Sequence, residues 1–382
     1  MRILILGGDG YLGWPTAMHL SARGHEVAVV DNYLRRRLQK EEDSELLFDV
    51  PNLNERVKLW EAVSGYKIRA FIGDLTDWTF VEEVFREFPP EGLMHYAEQP
   101  AAPYSMLNRR AATLTLQNNM MVTANLIFAV HEFCPDAQIV KIGTMGEYGT
   151  PNIDIEEGWL EVEHKGRSHK FLYPRQTGSL YHTTKIMDTD LLWFYVRMWG
   201  IRVTDLMQGP VYGLLTDENQ GDERLYPFFS YDELFGTVLN RFAVQAVAGY
   251  PLTVYGKGGQ TRGYLNIRDT LSCVTLSLEK PAKQGELRIY NQFVELFSVN
   301  ELAERVQKVG KQLGLDVRIK SLENPRIEPE EHYYNPTHTG LLELGLEPHS
   351  LTDDVLARMI ETVMKYKDNI REDAIFRGVK WK

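Results

Sequence analysis

Residues 2–13 read RILILGGDGYLG, a short apolar run that passes directly into a glycine-rich turn. The glycines at positions 7, 10 and 13 have the spacing GxxGxxG, and residues 15–23 have the pattern of a helix. Glycine permits a tight turn and close approach of a phosphate to the backbone, and the positive end of the next helix favours the phosphate charge. We therefore predict a strand, a turn and a helix that bind the pyrophosphate of a dinucleotide.

Short apolar runs alternate with amphipathic stretches over the first half of the chain. Buried strands are predicted at 26–30, 68–72, 93–96 and 139–142, and helical patterns include 81–88 and 116–133. Short buried strands separated by helices are typical of a parallel sheet covered on both faces. The predicted fold class is α/β, with a Rossmann-type doubly wound parallel sheet and a smaller C-terminal α/β substrate domain.

The alternating pattern becomes irregular beyond about residue 207, where a polar stretch and several turns marked by Pro and Gly follow. We predict a dinucleotide-binding domain at 1–206, joined by a returning segment near 236–275. Residues 207–382 should form mainly the substrate domain, including the helical pattern at 299–313.

Composition limits the partners and the compartment. The 382 residues include 53 acidic and 42 basic side chains, and the net charge of -11 would repel an extended phosphate backbone, so nucleic acid is not an expected partner. The sequence has no membrane span, and its apolar start predicts no signal or transit peptide and a cytoplasmic location. Cys134 and Cys273 are too few for a disulfide framework and lack zinc-site spacing, so we expect buried thiols and no metal.

Asp31 ends the second predicted strand. A carboxylate at this point can accept hydrogen bonds from the adenosine ribose hydroxyls, which favours NAD over NADP. Arg35, Arg36 and Arg37 follow closely and could hold a 2′-phosphate, although Asp31 would repel it. The alternative is an ordinary glycine turn with a solvated basic helix end, but strand, turn, helix and acid together favour NAD.

Thr144, Tyr181 and Lys185 are the candidates for hydride-transfer chemistry. Tyr181 and Lys185 stand at i and i+4, so on a helix they share one face and can meet at the nicotinamide ribose. The ammonium of Lys185 should lower the pKa of Tyr181, which then acts as a base toward a sugar hydroxyl, while Thr144 shares the proton network. A YxxxK pair also arises by chance on helices, but this one follows a dinucleotide fingerprint.

With these features the chain resembles the extended short-chain dehydrogenase/reductase family of nucleotide-sugar enzymes. Further shared features are Asn119, QGPVYG at 208–213 and LTVYGKGGQTR at 252–262, so the resemblance covers nearly the whole chain. It implies that the C-terminal domain binds a UDP-sugar and that Arg262 and Arg326 hold its phosphates. A surface or interdomain ion pair is the alternative for each arginine.

Residues 144–149 read TMGEYG and narrow the choice within the family. The family's hexose 4,6-dehydratases carry Thr-Asp-Glu here, with the Asp protonating the leaving 6-hydroxyl and the Glu removing the C5 proton. Met145 and Gly146 stand in those places and cannot transfer a proton, so Glu147 and His182 are the nearest replacements. This segment, with APYSM at 102–106 and GKGGQTRGY at 256–264, resembles the UDP-sulfoquinovose synthases.

That resemblance implies conversion of UDP-glucose and sulfite to UDP-6-sulfoquinovose and water, with NAD regenerated in each turnover. Tyr181 would deprotonate the C4 hydroxyl, Glu147 would remove the C5 proton, and His182 would protonate the leaving C6 hydroxyl before sulfite adds at C6. Three alternatives stay open: Met145 as a packing residue under the nicotinamide, Glu147 as part of a structural hydrogen-bond network, and His182 as a packed ring.

The predicted contacts form two sets beyond these catalytic candidates. Those with the cofactor are Gly7, Gly10, Tyr11, Leu12, Asp31, Asn32, Arg35, Asp74, Leu75, Asn119, Tyr181, Lys185 and Val211. Those with the substrate or sulfite are Gln99, Tyr104, Ser179, Gln208, Asn240, Thr253, Tyr255, Arg262 and Arg326.

The apolar helices predicted at 112–133 and 181–199 exceed what one protomer needs to cover its sheet, which predicts a homodimer. Two other functions stay open. A UDP-hexose 4-epimerase or 4,6-dehydratase would use Tyr181 and Lys185 without sulfite, whereas a non-catalytic NAD-sensing protein would be expected to lose one of them.

Overall fold

A computed structural model describes residues 1–44, 46–323 and 333–376. The strands are β1 (Arg2–Leu6), β2 (Glu26–Asp31), β3 (Ile68–Ile72), β4 (Gly92–His95), β5 (Gln138–Thr144), β6 (Trp159–His164), β7 (Arg167–Leu172), β8 (Arg202–Gln208), β9 (Val211–Tyr212), β10 (Leu252–Tyr255), β11 (Thr261–Asn266), β12 (Leu287–Gln292), β13 (Glu295–Ser298) and β14 (Ile319–Leu322).

The α-helices follow the same order along the chain. They are α1 (Gly13–Ala22), α2 (Leu34–Glu41), α3 (Leu53–Ser64), α4 (Trp78–Glu87), α5 (Ala102–Ser105), α6 (Arg109–Phe133), α7 (Leu180–Trp199), α8 (Val238–Ala248), α9 (Ile267–Glu279), α10 (Val299–Gln312), α11 (Gly340–Leu344), α12 (Asp353–Lys365) and α13 (Glu372–Ile375). Across the described ranges, no helix combines the length and hydropathy that a bilayer-spanning segment requires.

Seven parallel strands form the large sheet, in the order β12-β8-β5-β4-β1-β2-β3. The strand order changes direction between β1 and β4, and in such sheets the crevice beyond the carboxyl ends of these strands receives the ligand. The side chains of β1, β2 and β4 are almost all buried, as in a sheet covered by helices on both faces. The predicted α/β, Rossmann-type fold class is confirmed.

The predicted elements are present, with shifted ends. Helix α6 begins at Arg109 rather than near residue 116, because the Asn108 side chain accepts a hydrogen bond from Ala111 N (3.0 Å) and caps the first turn. Cys273 is buried as predicted, whereas Cys134 is partly exposed at the end of this helix.

A second lobe is formed mainly by residues that follow β8. It combines the parallel pair β10-β14 with the small sheet β13-β11-β9, packed on helices α8, α10 and α12. Phe229, Phe242, Leu302 and Ile360 are fully buried between these elements. Helix α9 and strand β12 belong instead to the large sheet layer, since β12 pairs with β8. The boundaries at residues 206 and 207 and the returning segment near 236–275 stay a prediction.

Candidate active site

A cavity of about 570 Å³ lies beyond the carboxyl ends of the central strands and extends into the second lobe. Its volume is in the range of small-molecule sites. Predicted site residues in its wall are Gly7, Gly10, Tyr11, Leu12, Asp31, Asn32, Arg35, Leu75, Thr144, Met145, Tyr181, His182, Lys185, Gln208, Val211, Asn240, Thr253, Tyr255 and Arg262. The fold therefore brings together most of the residues selected from the sequence.

The glycine turn leaves a cradle at the start of helix α1. Gly7 has φ +90°, and a Cβ on it would lie 2.8 Å from the carbonyl carbon of Tyr96. A Cβ on Gly13 would lie 2.0 Å from the carbonyl oxygen of Gly7. Only glycine fits at both positions. No side chain therefore stands between the backbone of the turn and a pyrophosphate, which the N-terminus of helix α1 would attract. The turn fits the dinucleotide that the sequence predicts.

Asp31 lies in the cavity wall at the end of β2. Its carboxylate accepts hydrogen bonds from Asp9 N (2.9 Å) and Tyr33 N (2.7 Å). Burial, followed by the charge of Asp9, raises the pKa of Asp31 to about 6. An acceptor held in this way fits a ribose hydroxyl.

The three arginines that follow Asp31 already bind other groups of the protein. Arg36 donates two hydrogen bonds to the Asp9 carboxylate (2.6 and 2.8 Å), and Arg37 donates one to the Asn32 carbonyl (2.5 Å). Arg35 donates to Ser230 Oγ (2.8 Å) and stacks on Phe235. Because these guanidinium groups are engaged, the site fits the unphosphorylated ribose of NAD.

Strand β5 and helix α7 carry the three hydride-transfer candidates to one end of the cavity. Thr144 is the last residue of β5, and its hydroxyl accepts a hydrogen bond from Gly146 N (3.1 Å). Ser179 caps helix α7 by accepting from His182 N (3.2 Å), so Tyr181 and Lys185 lie in the first turns of the helix. All three candidates line the cavity.

In the structure, burial and nearby carboxylates oppose the predicted effect of Lys185 on Tyr181. Burial, followed by the charges of Glu98 and Glu147, raises the pKa of Tyr181 above its usual value. Lys185 Nζ lies 2.5 Å from Glu98 Oε1, and this carboxylate balances the ammonium charge that was expected to act on the phenol. Glu98 was missed from the sequence; its signal is a charged residue placed directly after a buried strand.

Glu147 lies outside the cavity wall, in a buried ion network. Its Oε1 accepts a hydrogen bond from Thr144 N (3.1 Å) and lies 3.6 Å from Lys141 Nζ, and its Oε2 lies 3.2 Å from a guanidinium nitrogen of Arg175. Burial raises the pKa of Glu147 against the opposing charges of Lys141 and Arg175. This geometry supports the structural alternative and does not support Glu147 as the C5 base.

We expect Glu147→Gln to lower the free energy of unfolding by about 3–5 kcal/mol, because it leaves the buried cation Arg175 without its carboxylate. Chemical denaturation measures the change. The matched control is Glu161→Gln on the exposed side of strand β6, which should change stability by less than about 0.5 kcal/mol. Equal stability of both variants would contradict the structural role.

His182 occupies the space above Gly146. A Cβ on residue 146 would lie 2.5 Å from His182 Nε2, so any side chain there would displace the imidazole. His182 and Met145 both line the cavity beside Thr144. Met145 is also buried in a hydrophobic core of the large sheet, so its side chain both packs in that core and forms part of the cavity wall. The glycine thus makes room for the imidazole ring.

Several predicted ligand contacts serve instead to hold the loops around the cavity. Gln99 Oε1 accepts a hydrogen bond from Ala101 N (2.6 Å), and its Nε2 donates to Thr115 Oγ1 (2.9 Å). Asn119 Nδ2 donates to Thr184 Oγ1 (3.0 Å), which ties α6 to α7. These partners use the side-chain groups that were expected to contact ligands.

The same correction applies to Asp74, Tyr104 and Ser179, which also lie outside the cavity wall. Asp74 accepts hydrogen bonds from the backbone N and the hydroxyl of Thr76, Tyr104 stacks on Phe235, and Ser179 caps α7. The sequence predicted that these residues lie near the ligands, and tertiary contacts decide where each side chain points.

The second lobe lines the far end of the cavity with Thr253, Tyr255 and Arg262. Two residues that the sequence did not indicate join them: Arg241 Nη2 lies 3.4 Å from Tyr255 OH, and Glu233 accepts a hydrogen bond from the same hydroxyl. Arg326, the other predicted phosphate ligand, lies outside the described residues.

Comparison with known proteins agrees with this arrangement. The NAD dependent epimerase/dehydratase family matches residues 3–291. The chain is 49% identical to the chloroplastic UDP-sulfoquinovose synthase of Spinacia oleracea, over 100% of this chain and 79% of the relative. It is 46% identical to the UDP-sulfoquinovose synthase of Sulfolobus acidocaldarius, over 100% of this chain and 98% of the relative.

A solved structure shows the same fold. The UDP-glucose 4-epimerase of Thermus thermophilus in complex with NAD superposes with a TM-score of 0.66 at 23% identity, over 95% of this chain and 99% of the epimerase. The resemblance to UDP-sulfoquinovose synthases is confirmed by the two long alignments. The chain therefore belongs to the NAD dependent epimerase/dehydratase family.

Proposed function

We propose that this protein is an NAD-dependent enzyme that converts UDP-glucose and sulfite to UDP-6-sulfoquinovose and water. The observation that carries the proposal is the identity of 49% and 46% to two UDP-sulfoquinovose synthases over the whole of this chain. The cavity supports the proposal. The candidate residues for sugar oxidation line one end of the cavity, and the other end has positively charged side chains that can bind a diphosphate.

The first step is oxidation at C4 of the glucose. When bound in the cavity, NAD would supply the hydride acceptor for C4 and the hydride donor that later restores it. Tyr181 takes the proton of the C4 hydroxyl, and Thr144 holds the same oxygen in a hydrogen bond. Lys185 carries its positive charge into the cavity wall beside the cofactor site, where an ammonium can hold ribose hydroxyls.

The second step removes water across C5 and C6. The C4 ketone makes the C5 proton acidic, and with Glu147 outside the cavity wall we assign its removal to His182. The same imidazole then delivers that proton to the C6 hydroxyl, which leaves as water. One histidine thus takes over the roles of the two carboxylates that dehydratases of this family use.

Sulfite completes the cycle by conjugate addition. Its sulfur lone pair forms a bond to C6 of the enone, and C5 regains a proton that enters from bisulfite or solvent through His182. Return of the hydride to C4 and of a proton from Tyr181 to O4 yields the sulfonated sugar. Replacement of a 6-hydroxyl by sulfonate leaves the oxidation state of C4 unchanged, which accounts for a cofactor that is regenerated.

The test is a mass-spectrometric product assay with purified protein, UDP-glucose, NAD and sulfite, beside a reaction that lacks sulfite. We expect a UDP-sugar with the mass of UDP-sulfoquinovose only when sulfite is present. UDP-galactose, or a 4-keto-6-deoxy sugar that forms regardless of sulfite, would overturn the proposal in favour of an epimerase or a dehydratase. Tyr181→Phe protein controls for contaminating activity.

The proposal includes a homodimer formed through helices α6 and α7. These helices pack on each other and leave large apolar side chains exposed, with Phe128 40%, Phe194 46% and Met198 61% exposed. Large apolar side chains exposed on paired helices are costly in water, and a second copy of the chain would cover them.

We expect the double variant Phe194→Glu, Met198→Glu to convert the dimer to a monomer, because two buried charges without partners would destabilise the interface. Analytical ultracentrifugation measures the mass. Phe171→Glu on strand β7 removes an equally exposed apolar side chain elsewhere and should leave the dimer intact. A monomer in the unchanged protein would contradict this part of the proposal.

We propose a cytoplasmic location for this protein. The spinach relative is named as chloroplastic. Immunoblotting of cell fractions tests it, and recovery in an organelle or membrane fraction would contradict it.

A further inference from the structure

Glu98 is a buried carboxylate in the wall of the cavity that the mechanism above does not use. It lies just after strand β4, and its side chain is 3% exposed. Its Oε1 lies 2.5 Å from Lys185 Nζ and 3.3 Å from His95 Nε2. Among the described residues, its Oε2 accepts no hydrogen bond. A buried carboxylate with one unused oxygen is costly, so a role at the site is expected.

The groups around Glu98 make Lys185 its main charged partner. Burial acts to raise the pKa of Glu98, but the charge of Lys185 and the other nearby cations hold it below the usual value, so the carboxylate is ionised. Burial lowers the pKa of His95 to about 4, so the imidazole is neutral near pH 7. Burial, followed by the charge of Glu98, raises the pKa of Asp188 well above its usual value.

Other titratable groups lie around the pair formed by Glu98 and Lys185. The titratable groups that act on Glu98, Lys185 or Tyr181 are His95 on β4, Lys141 on β5, Glu147 in the turn after β5, and Asp188 on α7. Lys141 is itself paired with Asp205 at 3.1 Å, and Glu147 with Arg175 at 3.2 Å. Two carboxylates remain beside the catalytic lysine, and Glu98 at 2.5 Å is closer to its ammonium than Asp188 at 3.8 Å.

We propose that Glu98 is a positioning residue for the hydride-transfer step, which holds the Lys185 ammonium against the end of strand β4 and balances its charge. The inference rests on the proposed function, since it concerns the same oxidation at C4. Helix α7 alone leaves a lysine side chain free to adopt many rotamers, and an ion pair in the cavity wall selects one of them.

The charge of Glu98 also acts on the tyrosine. Burial is the largest cause of the raised pKa of Tyr181, and the charge of Glu98 is the next. The charge of Glu98 therefore opposes ionisation of the Tyr181 phenol. Removal of the carboxylate charge should make the phenol a stronger acid.

The test is an ultraviolet titration of tyrosinate in NAD-loaded protein, with the Tyr181→Phe spectrum subtracted to isolate one phenol. In Glu98→Gln the Tyr181 band should appear at a pH lower by about one unit, a tenfold change in its dissociation constant. The matched control is Glu161→Gln on strand β6, which removes an exposed carboxylate away from this group of charges and should leave the titration unchanged.

Glu98→Asp separates position from charge. It keeps the carboxylate but shortens the side chain, so Tyr181 should titrate as in the unchanged protein while single-turnover hydride transfer slows about tenfold through the misplaced lysine. Circular dichroism establishes that each variant is folded, and Glu98→Ser replaces Glu98→Gln if that protein does not fold.

Two results would overturn the inference: an unchanged Tyr181 titration in Glu98→Gln, or an equal shift in the Glu161→Gln control. The titration needs neither UDP-glucose nor sulfite. A protein that fails to make UDP-sulfoquinovose but shows the shift would therefore disprove the proposed function and leave the role of Glu98 standing.

Discussion

Tyr181→Phe should reduce formation of UDP-sulfoquinovose by about 10²–10⁴-fold while the protein still binds NAD and UDP-glucose. The phenol oxygen is the base that takes the C4 hydroxyl proton in our mechanism, and phenylalanine retains the ring and its packing but cannot accept that proton. The assay compares product by mass spectrometry with NAD content after purification, so that loss of chemistry is separated from loss of cofactor.

Tyr66→Phe is the matched control for this variant. Tyr66 is exposed, stacks on the buried Trp60 and does not line the cavity, so loss of its hydroxyl should leave turnover unchanged. If Tyr181→Phe retained more than about a tenth of the activity, the general-base role of Tyr181 would be wrong, because even weak general bases contribute more.

His182→Asn should block elimination by a similar factor, about 10²–10⁴-fold, and leave oxidation at C4 intact. The reason is geometric: Thr144, Tyr181 and Lys185 are unchanged, so the sugar can still be oxidised, but the group that carries the proton from C5 to O6 is gone. Single-turnover absorbance of the reduced cofactor measures the first step, and the sulfite-dependent product measures the second.

Two further variants decide between His182 and Glu147. Gly146→Ala should impair elimination with the histidine still present, because the new methyl group would stand 2.5 Å from His182 Nε2 and push the ring aside. Glu147→Gln, where folded, should keep elimination. The reverse result, with elimination lost in Glu147→Gln and kept in His182→Asn, would restore the assignment that the sequence suggested.

Residues that are close in sequence explain most of what could be predicted. The glycine turn, the strand alternation and the YxxxK pair depend on local geometry. A few neighbouring residues are therefore enough to predict how Gly7, Tyr181 and Lys185 are placed on their own elements. The role of Glu147 was also readable: Thr144 and Glu147 have the T-x-x-E spacing of a capping box, and the structure shows this box. The capping contact turns the carboxylate back toward the strand and away from the cavity.

The sequence by itself therefore determined the α/β class, the glycine turn of the dinucleotide site and the candidates for hydride transfer, because short periodic patterns and glycine sterics encode them. Tertiary structure alone decided the partners of the charged side chains: Glu98 meets Lys185 across 87 positions, and Lys141 meets Asp205 across 64. Such pairs depend on which strands and helices become neighbours. Burial then makes their charges matter, since the ion pairs act in a medium that screens them weakly.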